Sequence, residues 1–164
     1  QEARESYAAA KAQRDATRAV ATKNPDGKTT YTLSLIGSGP KKFTVPRFLP
    51  QALTVKAGDT VTWKMEDPTE IHTVTFTSGR KTPPFDILQP PTQPTVAVAN
   101  PLALVPTGGT AYDGRSYYNS GIMELITPQG VRSYSLTFTT PGRYQYTCIV
   151  HDPIGMRGTI IVTR

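Results

Sequence analysis

The feature of the sequence that most restricts its fold is an alternation of polar and apolar residues with a period of two. Six segments show this pattern, at residues 29–37, 52–65, 71–77, 133–140, 143–150 and 157–163. They are rich in Val, Thr, Ile and Tyr and are bounded by Gly or Pro-Gly, which is typical of short β-strands joined by turns. There is no alternation of helical and strand segments of the kind that a parallel sheet requires. The sequence therefore predicts an all-β protein built as an antiparallel sandwich or barrel.

The N-terminal residues follow a different pattern. Residues 1 to about 22 are rich in alanine and in charges of both signs and contain no Gly or Pro, which predicts a helix. Residues 24–27, Asn-Pro-Asp-Gly, are a strong turn signal that ends it. We expect residues 1–27 to be a helical extension or linker and residues 28–164 to form the main domain. A linker of this kind is typical of a chain that follows another domain or a membrane anchor.

The middle of the main domain is rich in proline. Residues 80–130 contain eight of the fifteen prolines of the chain, together with several Gly, Asn and Thr. A loop of this length is unusual in a compact domain and is normally either functional or loosely ordered. We therefore expect a long Pro-rich insertion at about residues 80–130.

The charge of the chain limits the classes of partner. The formal net charge is +6, but the cations are scattered, and no Lys/Arg block or aromatic-basic module is present. This pattern argues against nucleic-acid binding and is compatible with attraction of an acidic protein partner. The single cysteine excludes an internal disulfide and a Cys-rich zinc site.

The stretch "YTCIVHDPIGM" concentrates the scarcest side chains of the chain. It contains the only cysteine, Cys148, one of two histidines, His151, and one of three methionines, Met156, in the spacing C-x2-H-x4-M. Pro153 and Gly155 let such a loop fold back so that its ends face one point. The other histidine, His72, lies at the start of a different predicted strand. Two imidazoles and a thiolate with a weak axial thioether form the electron-transfer copper arrangement.

Each of these residues also has an ordinary explanation when it is taken alone. A lone cysteine is often a small buried hydrophobe, a lone histidine a satisfied polar residue, and a methionine a core filler. These explanations leave the coincidence of all three residue types unexplained, so a metal site is favoured. Met65 and Met123 are weaker alternatives for the axial ligand. Trp63 and Tyr146 are expected to pack in the core.

Sequence motifs connect this pattern with a known family. The segment "YTCIVHDPIGMRGTIIV" resembles the C-terminal signature of the cupredoxins, the small blue copper proteins, and most closely the plastocyanin, halocyanin and auracyanin type. "LTVKAGDTVTWK" and "EIHTVTF" resemble the strand pair and the strand that carry the first histidine ligand. "YYNSGIM" resembles a Ser-Gly segment upstream of the cysteine. The resemblance covers about residues 30–80 and 115–164.

The resemblance implies a fold, a ligand set and an activity. It implies a Greek-key β-sandwich that holds one type 1 copper per chain through His72, Cys148, His151 and Met156. It implies that the protein is not an enzyme and that it carries single electrons between redox partners by Cu(II)/Cu(I) cycling. It also implies an extracytoplasmic location, in the periplasm or on the outer cell surface.

The family also suggests how the electron leaves. The histidine of the C-terminal loop usually lies at the solvent edge, so His151 is expected to be the electron port, with Pro153 and Ile154 forming a small apolar docking patch for transient redox proteins. We expect a monomer. Of two other functions, one stays open at this point and the histidine count excludes the other. Copper storage or delivery predicts an exposed, exchangeable site, and a copper oxidase or reductase needs more histidines than the two in this chain.

The chain departs from the family pattern at several positions. Many relatives carry Asn after the first histidine, where it braces the cysteine loop, whereas this chain has Thr73. Asp152 places a carboxylate beside a ligand, where relatives often have Pro. The N-terminal extension and the 80–130 insertion are additional, and the insertion has three candidate roles: covering the metal, extending the docking face or lining one edge of the sandwich.

Overall fold

A computed structural model describes residues 17–38, 44–66, 68–87 and 98–164, together with residues 8 and 12. These residues form two packed sheets and a small hairpin. The strands are β1 (Val20–Lys23), β2 (Thr29–Ser38), β3 (Thr44–Leu49), β4 (Ala52–Lys56), β5 (Thr60–Met65), β6 (Thr75–Phe76), β7 (Asp86–Ile87), β8 (Val98–Ala99), β9 (Ala111–Tyr112), β10 (Tyr118–Asn119), β11 (Ser133–Phe138), β12 (Gly142–Thr147) and β13 (Arg157–Thr163). A one-turn helix, α1, spans Pro101–Leu104, and a 3-10 helix spans Asp152–Ile154.

The two sheets form the predicted β-sandwich. The first sheet has the order β1-β2-β5-β11-β9, with β3 also paired to β2, and the second has the order β10-β6-β12-β13-β4. The expectation of purely antiparallel pairing is wrong, because β2–β5, β11–β9 and β13–β4 are parallel. Between β2 and β5 the chain crosses to β4 in the second sheet, so it returns to the first sheet in the same direction.

The N-terminal helix prediction is wrong at its C-terminal end. Val20, Ala21 and Thr22 belong to β1 and pair antiparallel with β2. Residues 24–27 are the hairpin turn between these strands, in which Gly27 has a φ of 79° and its N–H donates to Asn24 O at 3.0 Å. The β-branched side chains and the ladder to β2 outweigh the helix propensity of the alanines. The rest of the predicted helix lies almost entirely outside the described residues.

The sheet therefore includes residues that precede the predicted domain start at residue 28. Among the described residues, no helix has the length and apolar character that are needed to cross a membrane.

The Pro-rich insertion is built into both sheets where it is described. Strand β9 pairs with β11 at the edge of the first sheet, and β10 pairs with β6 at the edge of the second. Helix α1 begins at Pro101, and Asn100 Oδ1 caps it by accepting a hydrogen bond from the Leu102 N–H at 3.0 Å. Residues 88–97 lie outside the described part. The described insertion thus closes one edge of each sheet.

The core is centred on Trp63, which is fully buried, as predicted. Its ring lies 5.2 Å from that of Tyr146 and 5.8 Å from that of Phe76, both edge-on, an arrangement that aromatic pairs favour. Gly158 lies opposite Tyr146 in the β12–β13 ladder, and a Cβ atom there would lie 2.3 Å from the tyrosine ring. Gly158 therefore leaves room for the ring of Tyr146, which lies two residues before Cys148.

Candidate metal centre

His72 is positioned by the end of the insertion. Its N–H donates to Met123 O at 3.0 Å, and the Met123 N–H donates to His72 O at 2.8 Å. Two residues later, the Val74 N–H donates to Ser120 Oγ at 2.8 Å. Both His72 and Met123 are fully buried. The last part of the insertion therefore lies beside the first histidine and fixes its main chain.

The loop after β12 folds back on itself, as its Pro and Gly predict. The His151 N–H donates to Cys148 O at 3.1 Å, and the Met156 N–H donates to His151 O at 3.1 Å. Pro153 lies inside the 3-10 helix, and Gly155 ends that helix with a φ of 80°, which L-residues with a side chain rarely adopt. The Cys148 N–H then donates to Met156 O at 3.1 Å. This ladder brings the two ends of the loop together.

Three of the four predicted ligands converge. Cys148 Sγ lies 3.8 Å from His72 Nδ1 and 3.5 Å from His151 Nδ1. All three donor atoms lie within 4.8 Å of one another. Donors at about 2.0–2.3 Å from one ion in a trigonal plane are separated by roughly 3.5–4 Å, so the spacing fits a single metal ion. Two imidazoles and one thiol are also the donor types that suit copper.

Burial differs among the four candidate ligands. His72, Cys148 and Met156 are fully buried, whereas 13% of the His151 side chain is exposed. The Nδ1 atom of His151 faces the sulfur, and its Nε2 lies 3.8 Å from a carboxylate oxygen of Glu70. Met156 lies on the same loop as Cys148 and His151, and its role as axial ligand stays a prediction. His151 is thus the candidate ligand that reaches the surface.

The cysteine is held as a thiol unless a cation is present. Burial raises the pKa of Cys148, and the hydrogen bond that its sulfur accepts from the Thr73 N–H at 3.3 Å opposes this shift. The thiolate form therefore needs a positive charge beside it in the buried site. Binding of a metal ion at the sulfur supplies that charge and releases the proton.

Asp152, the acidic departure in the loop, is neutralised by neighbours on β12 and β13. One carboxylate oxygen accepts from Arg157 Nε at 2.7 Å and from Thr147 Oγ1 at 2.7 Å. The hydrogen bond from Arg157 is the main cause that lowers the pKa of Asp152. The carboxylate therefore serves to tie the loop to the ends of the two strands.

Thr73 braces the cysteine loop in place of the usual asparagine. Its Oγ1 accepts a hydrogen bond from the Ile149 N–H at 2.8 Å and lies 3.0 Å from Thr75 Oγ1. The Thr75 hydroxyl donates to Asn119 Oδ1 at 2.9 Å. Thr73, Thr75 and Asn119 are all buried. A continuous hydrogen-bonded chain, which we call the Thr-Asn relay, therefore joins the cysteine loop to the insertion.

The contacts of Asn119 determine which group donates and which accepts in each hydrogen bond of the Thr-Asn relay. Asn119 Nδ2 donates to the carbonyl oxygens of Leu102 and Ala103, at 2.8 and 3.1 Å, so its Oδ1 must be the acceptor on the other side. The Thr75 proton is then used on Asn119, and the Thr73 hydroxyl donates to Thr75. The relay members were not predicted. The signal available in the sequence was a pair of threonines, Thr73 and Thr75, two residues apart and directly after the first histidine.

Replacing Thr73 by Val is expected to lower the free energy of unfolding of the metal-free protein by about 1–3 kcal/mol, because a buried N–H and a buried hydroxyl lose their partner. Thr73→Ser keeps the hydroxyl and is expected to lose only about 1 kcal/mol, the contribution of one methyl group. Chemical denaturation of the three proteins measures both values. Equal stability of the Val and Ser variants would show that the hydroxyl does not brace the loop.

One family model matches most of the chain, and several solved structures are similar to it. A family model described as copper binding proteins of the plastocyanin/azurin family matches residues 44–163. Among solved structures, a methionine-to-glutamine variant of amicyanin in the Cu(I) form is 23% identical, with 82% of each chain covered and a TM-score of 0.46. A mutant plastocyanin of fern is 19% identical over 80% of this chain and 99% of that chain, with a TM-score of 0.45.

No match to a curated protein sequence was found. The family model includes β3 to β13 and every one of the four predicted ligands. Since the match spans well over half of the chain, the protein belongs to the copper-binding family of plastocyanin and azurin, the cupredoxins.

Proposed function

We propose that this protein, a single-electron carrier with one type 1 copper, holds its metal through His72, Cys148, His151 and Met156. The observation that carries the proposal is the meeting of two imidazole nitrogens and one thiol sulfur within 4.8 Å at a buried point. In this assignment the three donors form the equatorial set and the Met156 thioether is the weak axial ligand. Bound copper supplies one-electron chemistry between Cu(II) and Cu(I), and the protein is a carrier and not an enzyme.

The protein matrix suits a site that changes charge without changing shape. His72 is fixed by its main-chain bridge to Met123, and the loop from Cys148 to Met156 is closed by its own hydrogen bonds. The Thr73 N–H on the sulfur and the Thr73 hydroxyl on the Ile149 N–H hold the cysteine from the segment that precedes β6. Donors held in this way need little rearrangement when the electron arrives or leaves.

The electron is exchanged, in our proposal, at the edge formed by His151, Pro153 and Ile154. His151 is the partly exposed candidate ligand, and 57% of Ile154 is accessible. The Arg47 guanidinium donates to Ile154 O at 3.1 Å and holds this apolar corner in place. A small apolar patch supports the brief contacts that redox partners make. We further propose that the carrier works as a monomer outside the cytoplasm, in the periplasm or on the outer cell surface.

Replacing Ile154 by Asp is expected to slow electron self-exchange between Cu(I) and Cu(II) copies roughly tenfold or more. The reason is that a carboxylate on the docking patch must lose water in the encounter complex, and about 1.4 kcal/mol corresponds to a factor of ten. Line broadening in mixtures of reduced and oxidised protein measures the rate. The visible spectrum is expected to stay unchanged.

Val20→Asp is the matched control for this prediction. Val20 is an exposed apolar side chain on β1 in the first sheet, and the substitution changes the net charge by the same amount. The control is expected to exchange electrons at nearly the wild-type rate. Equal rates for the two variants would place electron exchange at a different surface.

A further inference from the structure

A polar groove crosses the outer face of the second sheet and leads to the copper loop. Its volume is 870 Å³, and its floor consists of Gln145 and Thr147 on β12 and Thr159 on β13. These residues alternate with the inward-facing Tyr146 and Ile160, so their side chains point away from the core. One wall is the segment 78–82 that follows β6. The groove therefore lies on the outer face of the sheet, and the core residues Tyr112 and Tyr146 also border it.

The charges that line the groove are mostly positive. Four cationic side chains, Arg80, Lys81, Arg143 and Arg157, face a single carboxylate, Asp152. Asp152 is already hydrogen-bonded to Arg157. No acidic side chain in the described part of the chain forms an ion pair with the other three cations.

Other acidic groups near the groove do not cancel this charge. Asp113 precedes Gly114 at the far end of the groove, where its carboxylate lies 3.8 Å from Arg115 Nε. Three exposed cations along one groove therefore keep their charge available to an incoming anion. Clefts lined by one sign of charge focus the field and speed the encounter with partners of the opposite sign.

The groove is continuous with the proposed exchange edge. Thr147, on its floor, directly precedes Cys148, and Asp152, at its end, begins the 3-10 helix that carries Pro153 and Ile154. The Thr147 and Asp152 side chains are hydrogen-bonded to each other at 2.7 Å. A molecule that lies in the groove therefore lies next to the edge at which the electron is exchanged.

The chemistry of the groove points to a protein segment. Cations attract phosphates as well as carboxylates, but the basic residues of the sequence are scattered and match no recognisable nucleic-acid-binding module. An electron carrier also has to meet another redox protein at this end of the sandwich. A carboxylate-rich segment of a redox protein supplies the negative charge that the groove attracts, and it brings an electron-exchange partner to this end of the sandwich.

We propose, on the basis of the proposed function, that this groove seats a carboxylate-rich segment of the redox protein with which the chain exchanges electrons. The segment lies across Arg80, Lys81 and Arg143 while the partner's redox centre faces His151. The apolar patch and the basic groove are thus two parts of one docking surface, joined at the 3-10 helix. The groove orients the redox partner and speeds its association, and the apolar patch forms the close contact through which the electron passes.

The test is a titration of reduced, isotope-labelled copper protein with a short polyglutamate peptide at low ionic strength. We expect amide shifts to concentrate at residues 80–82, at Arg143 and at Thr147, and binding to weaken as salt is added. The variant R80E/K81E/R143E is expected to bind the peptide at least roughly tenfold more weakly, because it reverses the charge of three side chains that line the groove. R80Q/K81Q/R143Q, which only removes the charges, is expected to give an intermediate loss.

The matched control is K23E/K28E/K56E, which changes the net charge equally at residues outside the groove. The variants are compared at about 0.1 M salt, where the Debye length is about 10 Å. We expect the control to weaken peptide binding there by less than about threefold, because charges outside the groove are then largely screened. Absence of binding, an equal loss in the control, or shifts scattered over the surface would overturn the proposal. Tighter binding of oligothymidylate than of the peptide under the same conditions would also overturn it, in favour of a nucleic-acid surface.

The titration is independent of the copper assignment. It measures binding in the groove without any electron transfer, and it can be repeated on the metal-free protein. A failure of the proposed function would appear in the spectrum of the copper protein, whereas a failure of this inference would leave that spectrum unchanged.

Discussion

Replacing Cys148 by Ser is expected to abolish the intense visible band of the copper protein and to leave at most the weak absorption of ordinary Cu(II). The expected band arises from charge transfer between a thiolate and copper, and Cys148 is the only cysteine of the chain. A serine hydroxyl stays protonated at neutral pH and is a hard donor, so it supplies neither the charge nor the soft ligand that the site requires. We also expect a large loss of Cu(I) affinity. Absorption spectra of the two proteins after copper loading measure the change.

Met123→Leu is the control for the cysteine variant. Met123 is buried beside His72, to which its main chain is hydrogen-bonded, and its replacement by Leu nearly conserves volume. If the ligand set is His72, Cys148, His151 and Met156, this variant keeps the band. A visible band that survives in Cys148→Ser would show that the sulfur does not bind copper. A clear shift in the position or intensity of the band in Met123→Leu would show that Met123 contacts the metal and that the axial assignment is wrong.

Replacing Asn119 by Leu is expected to lower the free energy of unfolding by about 2–4 kcal/mol. Asn119 is fully buried, and its amide donates to carbonyl oxygens around helix α1 while its Oδ1 accepts from Thr75. The apolar side chain leaves these buried groups without partners, each at a cost of about 1–3 kcal/mol before relaxation. Chemical denaturation of the metal-free protein measures the loss.

The Thr-Asn relay also predicts that the effects of Asn119→Leu and Thr73→Val are not additive. Once Asn119 is gone, the protons of the Thr-Asn relay are free to reverse, so removing the Thr73 hydroxyl as well should cost less than it does in the wild-type protein. A double-mutant cycle measures the coupling, which for directly connected groups is typically about 0.5–3 kcal/mol. Strict additivity would contradict a connected relay and would leave three separate hydrogen bonds.

The metal centre was the part of the protein that the sequence predicted best. Cys148, His151 and His72 are scarce residues, and the loop between the first two carries its own Pro and Gly, so its folding back is a local property. The structure brings these three side chains together, and their role as copper ligands stays a prediction. The Thr73 brace could not be predicted in the same way, because the hydrogen bond to Ile149 joins residues that are 76 positions apart.

The strands were predicted where the alternation is strong, and the errors have two physical causes. Residues 20–22 follow an alanine-rich segment, so their local propensity favours helix, and only the pairing with β2 makes them a strand. The parallel pairs arise because the chain crosses between sheets, which no local pattern encodes. Within the insertion, β9 and β10 have two residues each and are too short for a period to be visible.

The most direct test of the account is to add Cu(II) to the metal-free wild-type protein and to record its visible and electron paramagnetic resonance spectra together. For a type 1 site we expect an intense thiolate-to-copper band, narrow copper hyperfine splitting, one copper per chain and reversible bleaching by a mild reductant. A pale solution with broad hyperfine splitting would contradict this expectation. Such a result would mean that His72, Cys148 and His151 lie together without forming a type 1 site.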